Sequence, residues 1–109
     1  MVRSVDILQR IRSAASKGIL YLPHAVRQMS RPDRMITTSE VRRAIYIGNV
    51  IEDYPEDPRG HSCLIHGHGK DERPIHVVCS PKPEFLVIIT AYLPNDEEWE
   101  DNSSKRKQK

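Results

Sequence analysis

The chain has 109 residues, 38% of them hydrophobic and 29% charged, with a net charge of +2 and two cysteines. That length suits one domain with a single modest core. The longest apolar run, "FLVIIT", is too short to cross a bilayer, "MVRSVDILQRIRSAASKG" lacks the unbroken apolar segment of a secretory signal, and two cysteines make no disulfide framework, so the sequence predicts a cytoplasmic protein with no membrane span.

Val5, Leu8, Ile11 and Ala15 recur at helical spacing, which predicts an amphipathic helix over residues 4–17 stopped by Gly18. "YLPHAVRQMS" reads as a short second helix, with Pro23 at its first position and Arg31-Pro32 closing it. In "ITTSEVRRAIYIG", Thr37 and Glu40 have capping-box spacing, Val41, Ala44 and Ile45 form one face, and Gly48 is the cap. The period then changes. "NVIEDY", "HSCLIH", "PIHVVCS" and "FLVIITAY" read as four strands, with turns at "PEDPRG" and "SPKPE". The predicted fold is therefore α+β: two to three N-terminal helices packed on one face of a four-stranded antiparallel meander, in a single domain over residues 1–99. Residues 100–109 read as a mobile charged tail. The short acidic "NVIEDY" is expected at a sheet edge, and "PIHVV" and "VIITAY" at its centre.

Charge divides along the chain. Residues 1–49 carry nine Lys and Arg against three Asp and Glu, a local +6, residues 50–104 carry −8, and "KRKQK" returns +4. A basic helical half can meet phosphates, although a solvated helix surface is the commoner reason for such a bias.

"HSCLIHGHG" raises the question of a metal. On an extended strand His61 and Cys63 share one face and His66 takes the other, while His68 sits between two glycines where the strand is expected to turn. Four donors do not converge, and the paired-cysteine spacing of zinc sites is missing. The segment reads instead as a hairpin with exposed histidines, with Cys63 and Cys79 as small buried apolar residues and no metal or other cofactor.

Other residues carry chemistry more readily. His76, Val78 and Ser80 share one strand face, and Thr90 and Tyr92 share a face of the last strand. If "SPKPE" pairs Ser80 near Leu86, His76 lies opposite Thr90. His24 and Arg27 share a helix face, with Gln28 and Arg31 close by. Two imidazoles, a phenol and several guanidinium groups suit metal-independent RNA cleavage. That reaction needs a base for the 2′-hydroxyl, an acid for the leaving oxygen and cations for the charge on phosphorus. Taken singly, each of these residues is more often structural than functional.

The ordered segments "HAVRQM", "DRMITTSEVRRAIYIGNVIEDYPED", "PIHVVCS" and "VIITAYLPNDEEW" together resemble a bacterial family of small domains of unknown function. Its frame is H-A-x-x-x-M, R-x-I-(S/T)-x-x-E-V, G-x-(V/I)-I-E-x-Y, (P/L)-x-H-V-V and (I/V)-T-x-Y-x-P-x-x-x-x-W. The match runs from His24 to Trp99. The chain departs from the frame at Gln28, where an arginine often precedes the methionine, and at "SRPD", which lengthens the link to Arg34. The family is similar in architecture to the RelE/barnase-like toxins. The resemblance implies an RNA endonuclease of a toxin–antitoxin pair, with an antitoxin and RNA, free or on the ribosome, as partners. It marks His24, Arg34, His76, Thr90 and Tyr92 as catalytic candidates. Arg27, Arg31, Arg42, Arg43 and Arg73 are the candidate RNA contacts. The competing expectation is a non-catalytic protein- or nucleic-acid-binding module. A weaker one is a metal-dependent hydrolase using the histidines with Asp53 or Asp71.

Overall fold

A computed structural model describes residues 4–95, 99–100 and 105–106. Helix α1 spans Ser4–Lys17, strand β1 Ile19–Tyr21, helix α2 Pro23–Met29 and helix α3 Thr38–Ile47. Strands β2 (Asn49–Tyr54), β3 (Ser62–His68), β4 (Pro74–Pro81) and β5 (Leu86–Tyr92) follow, with a single 3-10 turn at Lys70–Glu72 between β3 and β4.

The four later strands do form an antiparallel meander, but the sheet has five strands and is mixed, in the order β1-β5-β4-β3-β2. The addition is β1, which pairs in parallel with β5 from Ile19 opposite Leu86 to Tyr21 opposite Ile88. The three residues Ile19–Tyr21 are too few to show a period of two, so only the pairing with a distant strand reveals them. Strand β2 stands at one edge, and β4 and β5 lie inside the sheet.

Thr37 caps α3 as its sequence predicts: its hydroxyl accepts from the Glu40 N–H at 3.1 Å, and Glu40 accepts from the Thr37 N–H at 3.0 Å. Val41, Ala44 and Ile45 are buried on its inner face. In α1 the buried stripe is Ile7, Ile11, Ala14 and Ala15, with Leu8 at its margin. The predicted stripe was therefore rotated, and the Val5 side chain lies outside the described residues. Ala25 and Met29 of α2 complete the helical side.

On the sheet, Cys63, Ile65, Ile75, Val77, Cys79, Leu86, Ile88 and Ala91 face these helices. Fully burying each isoleucine contributes about 1.5–3 kcal/mol. Strand β3 continues through Gly67 instead of turning there. A Cβ on Gly67 would come within 2.6 Å of the Ala44 Cβ, so glycine lets α3 lie close against the strand. Cys63 and Cys79 are opposite one another, buried and reduced. Hydrogen bonding with Cys63, then burial, raises the Cys79 pKa. The expected tail falls largely outside the described residues; within them, Trp99–Glu100 (β6) pairs antiparallel with Lys105–Arg106 (β7).

Candidate active site

A bulge decides which side chains share the outer face of the sheet. Val78 pairs with Thr90 and Cys79 with Ile88, leaving Ile89 as the extra residue of β5. Before the bulge Leu86 and Ile88 point to the helices; after it Ala91 does. Thr90 and Tyr92 are thereby turned to the outer face, which His76 also occupies. The register differs from the expected one: His76 stands opposite Tyr92, not Thr90.

Helix α2 brings the other half of the site. The Leu22 N–H donates to the Ile88 carbonyl at 3.1 Å, which ties the start of α2 to β5. Pro23 opens the helix, so His24 and Gln28 fall one turn apart on the side facing β5. Beyond α2 the chain folds back, with the Arg34 and Met35 N–H groups both donating to the Arg31 carbonyl and the Ile36 N–H to that of Met29. Met35 takes a left-handed φ of 48° in this turn. The turn aims Arg34 inward, where its guanidinium donates to Gln28 Oε1 at 3.3 Å. The "SRPD" segment thus does not carry Arg34 away from His24.

The result is an open cleft of about 400 Å³ lined by His24, Gln28, Arg34, Thr90 and Tyr92, with Leu93 and Asn95 at its margin. Four of the five catalytic candidates line it. The fifth, His76, is fully buried behind Tyr92, with Nδ1 3.4 Å from the phenol oxygen. His76 therefore meets the cleft through Tyr92. His66, opposite His76 on β3, extends the row: ring centroids lie 5.4 Å apart for His76–Tyr92, 5.5 Å for His66–His76 and 5.1 Å for His66–His68, all edge to face. His66 was expected to be exposed, yet it is buried, while His68 is exposed. The pairing of β3 with β4, rather than the local sequence, sets that burial.

The arginines divide. Arg27 and Arg31 are exposed on and just after α2, and Arg31 is 3.3 Å from Asp33. Arg42 is exposed on α3. Burial raises the pKa of the neighbouring Tyr21, and the Arg42 charge opposes that rise. Arg43 pairs with Glu72 at 3.0 Å and reaches the Gly69 carbonyl. Arg73 forks onto Glu40, with Nη2 to Oε1 at 2.9 Å and Nε to Oε2 at 3.0 Å. Glu40 Oε2 also accepts from the Lys70 N–H at 2.6 Å. Burial alone would raise the Glu40 carboxyl. Hydrogen bonds from Arg73, Lys70 and Thr37, with the Arg73 charge, outweigh it and hold the pKa at about 2.

His61 sits at the other end of the sheet. Its Nδ1 accepts from Arg10 at 3.3 Å, so its Nε2 carries the proton donated to Asp53 Oδ1 at 2.6 Å. Among the described residues no three His, Cys, Asp or Glu side chains are grouped so as to hold a metal ion. No described helix is long and apolar enough to cross a membrane.

The sequence did not single out Gln28, Asn95 or His66 as site residues. The spacing of four between His24 and Gln28 was a usable signal. His66 needed the strand register, and Asn95 needed the end of β5 to be fixed.

Neither a curated protein nor a solved structure matches the chain. The family model for a domain of unknown function (DUF4258) matches residues 21–93, from the end of β1 to just past β5, which spans every residue of the cleft except Asn95. The chain belongs to that DUF4258 family.

Proposed function

We propose that the protein is a metal-independent RNA endonuclease of the RelE/barnase-like toxin type, acting in the cytoplasm and held in check by an antitoxin. The observation that carries this reading is the single cleft shared by His24, Arg34, Thr90 and Tyr92, with His76 against the Tyr92 hydroxyl. His24 is exposed there, and its imidazole takes the 2′-hydroxyl proton. The 2′-oxygen then bonds to phosphorus, the bond to the 5′-oxygen breaks, and Tyr92 supplies the proton to that leaving oxygen. The products are a 2′,3′-cyclic phosphate and a 5′-hydroxyl. Arg34, steadied by Gln28, faces the charge that develops on phosphorus. His76 is a positioning residue for the phenol, and Thr90 flanks it. Arg27 and Arg31, exposed on α2 and just beyond it, and Arg42, exposed on α3, are the arginines offered to the RNA backbone. Arg43 and Arg73 suit that role less, since Glu72 and Glu40 hold them at 3.0 and 2.9 Å, more tightly than Asp33 holds Arg31 at 3.3 Å.

The test is cleavage of end-labelled single-stranded RNA in excess EDTA, with and without translating ribosomes. Cleavage by the wild type and its loss in Tyr92→Phe supports the reading. Unchanged cleavage in that variant removes Tyr92 from the mechanism. The full burial of His76 favours a second reading, a non-catalytic binding module in which His76 is a core imidazole. RNA binding without cleavage under either condition would establish it.

A further inference from the structure

A second cleft lies away from the candidate site, where α1 meets the β4–β5 hairpin. It has a volume of about 460 Å³ and is lined by Gln9, Arg10, Ser13 and Lys17 of α1 and by Lys82 between Pro81 and Pro83. Arg10, Ser13 and Lys17 follow the spacing of one helical stripe. The Lys82 N–H donates to the Phe85 carbonyl at 2.9 Å, which closes the hairpin and presents its side chain to that stripe.

Each cation here is oriented by a neutral acceptor. Lys17 Nζ donates to the Pro83 carbonyl at 2.9 Å, Lys82 Nζ to the Arg59 carbonyl at 2.5 Å, and Arg10 to His61 Nδ1 at 3.3 Å. Among the described residues no carboxylate forms an ion pair with any of the three. A carbonyl fixes the direction of an ammonium group without cancelling its charge. Three like charges around one groove repel, and an anion between them relieves the repulsion. Among the described residues no aromatic ring lines the groove, so they offer bases nothing to stack on and recognition falls to phosphate.

We propose that this groove is a phosphate-binding site, separate from the candidate active site. It rests on the ribonuclease reading only for the source of the phosphate, which is then the backbone of single-stranded RNA. The two sites are joined by β5, which runs from Leu86 beside the hairpin to Tyr92 in the cleft, about 20 Å at strand rise. Contact at both ends gives a sequence-independent hold on a strand whose scissile phosphate lies near Tyr92.

The experiment is fluorescence anisotropy of a labelled single-stranded RNA with the full chain in EDTA, over a series of salt concentrations. Each lost phosphate contact lowers the slope of log affinity against log salt by about 0.7. Lys17→Gln and Lys82→Gln should each lower it by about that amount and weaken binding roughly 3- to 10-fold at low salt. Lys70→Gln removes the same charge outside the groove and should leave the slope unchanged, and Lys17→Arg should restore it. Equal effects of Lys17→Gln and Lys70→Gln, or none from either, would overturn the site. Calorimetry with inorganic phosphate fixes the source: saturable binding lost in Lys17→Gln/Lys82→Gln, with an unchanged RNA slope, assigns the groove to a small phosphate compound and overturns the RNA assignment. Cleavage that persists with unchanged slopes sinks the groove alone, whereas altered slopes without cleavage sink the ribonuclease reading alone.

Discussion

Two polar clusters, each built around one arginine, show how differently the same side chain is used in this fold. At the N-terminus of α3, Arg73 forks onto a buried Glu40 whose two oxygens also take the Thr37 and Lys70 N–H groups, mostly at 2.6–3.0 Å. The Glu40 carboxylate there is saturated and closed off. On the outer face, Arg34 meets Gln28 at 3.3 Å and His76 meets Tyr92 at 3.4 Å, around an open cleft. A short, filled network fixes a helix end and a loop, whereas the contacts on the outer face are longer and border an open cavity. From sequence, Arg34 and Arg73 were both cations beside a motif. Their partners separate them.

The comparison breaks most clearly if exchanging the clusters' key residues does not exchange the phenotype. His24→Ala should reduce RNA cleavage by about 10²- to 10⁴-fold, the usual contribution of a general base, while changing stability by less than about 0.5 kcal/mol because the residue is exposed. Single-turnover cleavage and urea unfolding read the two effects. A large loss of stability would place His24 among the structural residues. Glu40→Ala should do the reverse. It leaves the Arg73 guanidinium with only the Met35 carbonyl and strands the Lys70 and Thr37 N–H groups, at a cost of about 3 kcal/mol. In a domain of this size that lowers the melting temperature by roughly 12–20 °C. Cleavage measured below the transition should stay within a few-fold of wild type. A variant that melts normally but cuts poorly would move Glu40 into the active site.

How much of this was legible follows from the range of each signal. The α3 cap could be read because Thr37, Glu40 and Gly48 act on one helix within twelve residues. The strands of the meander could be read because each is long enough to show a period. β1 could not, since three residues gain their structure from β5, far along the chain. The catalytic candidates were found as residue types, and their convergence depended on two features the sequence does not announce. One is the Ile89 bulge: the expected Ser80–Leu86 register already put Thr90 and Tyr92 on the face of His76, but the observed Pro81–Leu86 register does so only with that extra residue, which sets His76 opposite Tyr92. The other is the Met35 turn, which returns Arg34 to α2 despite its longer link. The pairing of Arg73 could not be read for the same reason: its partner Glu40 lies thirty-three residues away.

Acid sharpens the contrast further. Glu40 titrates near 4.5 when unfolded and at about 2 in the fold. A carboxyl with a depressed folded pKa stabilises the protein fully above its unfolded value and loses that stabilisation as pH falls toward the folded one. The clamp should therefore contribute up to about 3 kcal/mol at neutral pH that disappears between about pH 4.5 and 2. Unfolding midpoints across that range should fall less steeply in Glu40→Gln than in wild type. Parallel slopes would show that other carboxylates carry the acid response.

The smallest effect belongs to Arg43, and it tests whether proximity to the clamp is enough to matter. Arg43 pairs with Glu72 at 3.0 Å on the same loop that Glu40 holds, but both partners are largely exposed, at 44% and 72% of their side-chain surface. Water screens such a pair, and two long side chains lose rotamer freedom to keep it. Arg43→Ala should cost no more than about 1 kcal/mol, with little change in cleavage. Raising the salt concentration should shrink even that difference, because the screening length falls below the reach of an exposed pair. If Arg43→Ala instead destabilises as much as Glu40→Ala, the loop is held by the two arginines jointly and the clamp extends to the surface. A double variant decides it: additive losses keep Glu40 as the sole anchor, and a combined loss smaller than the sum makes Arg43 part of the same network.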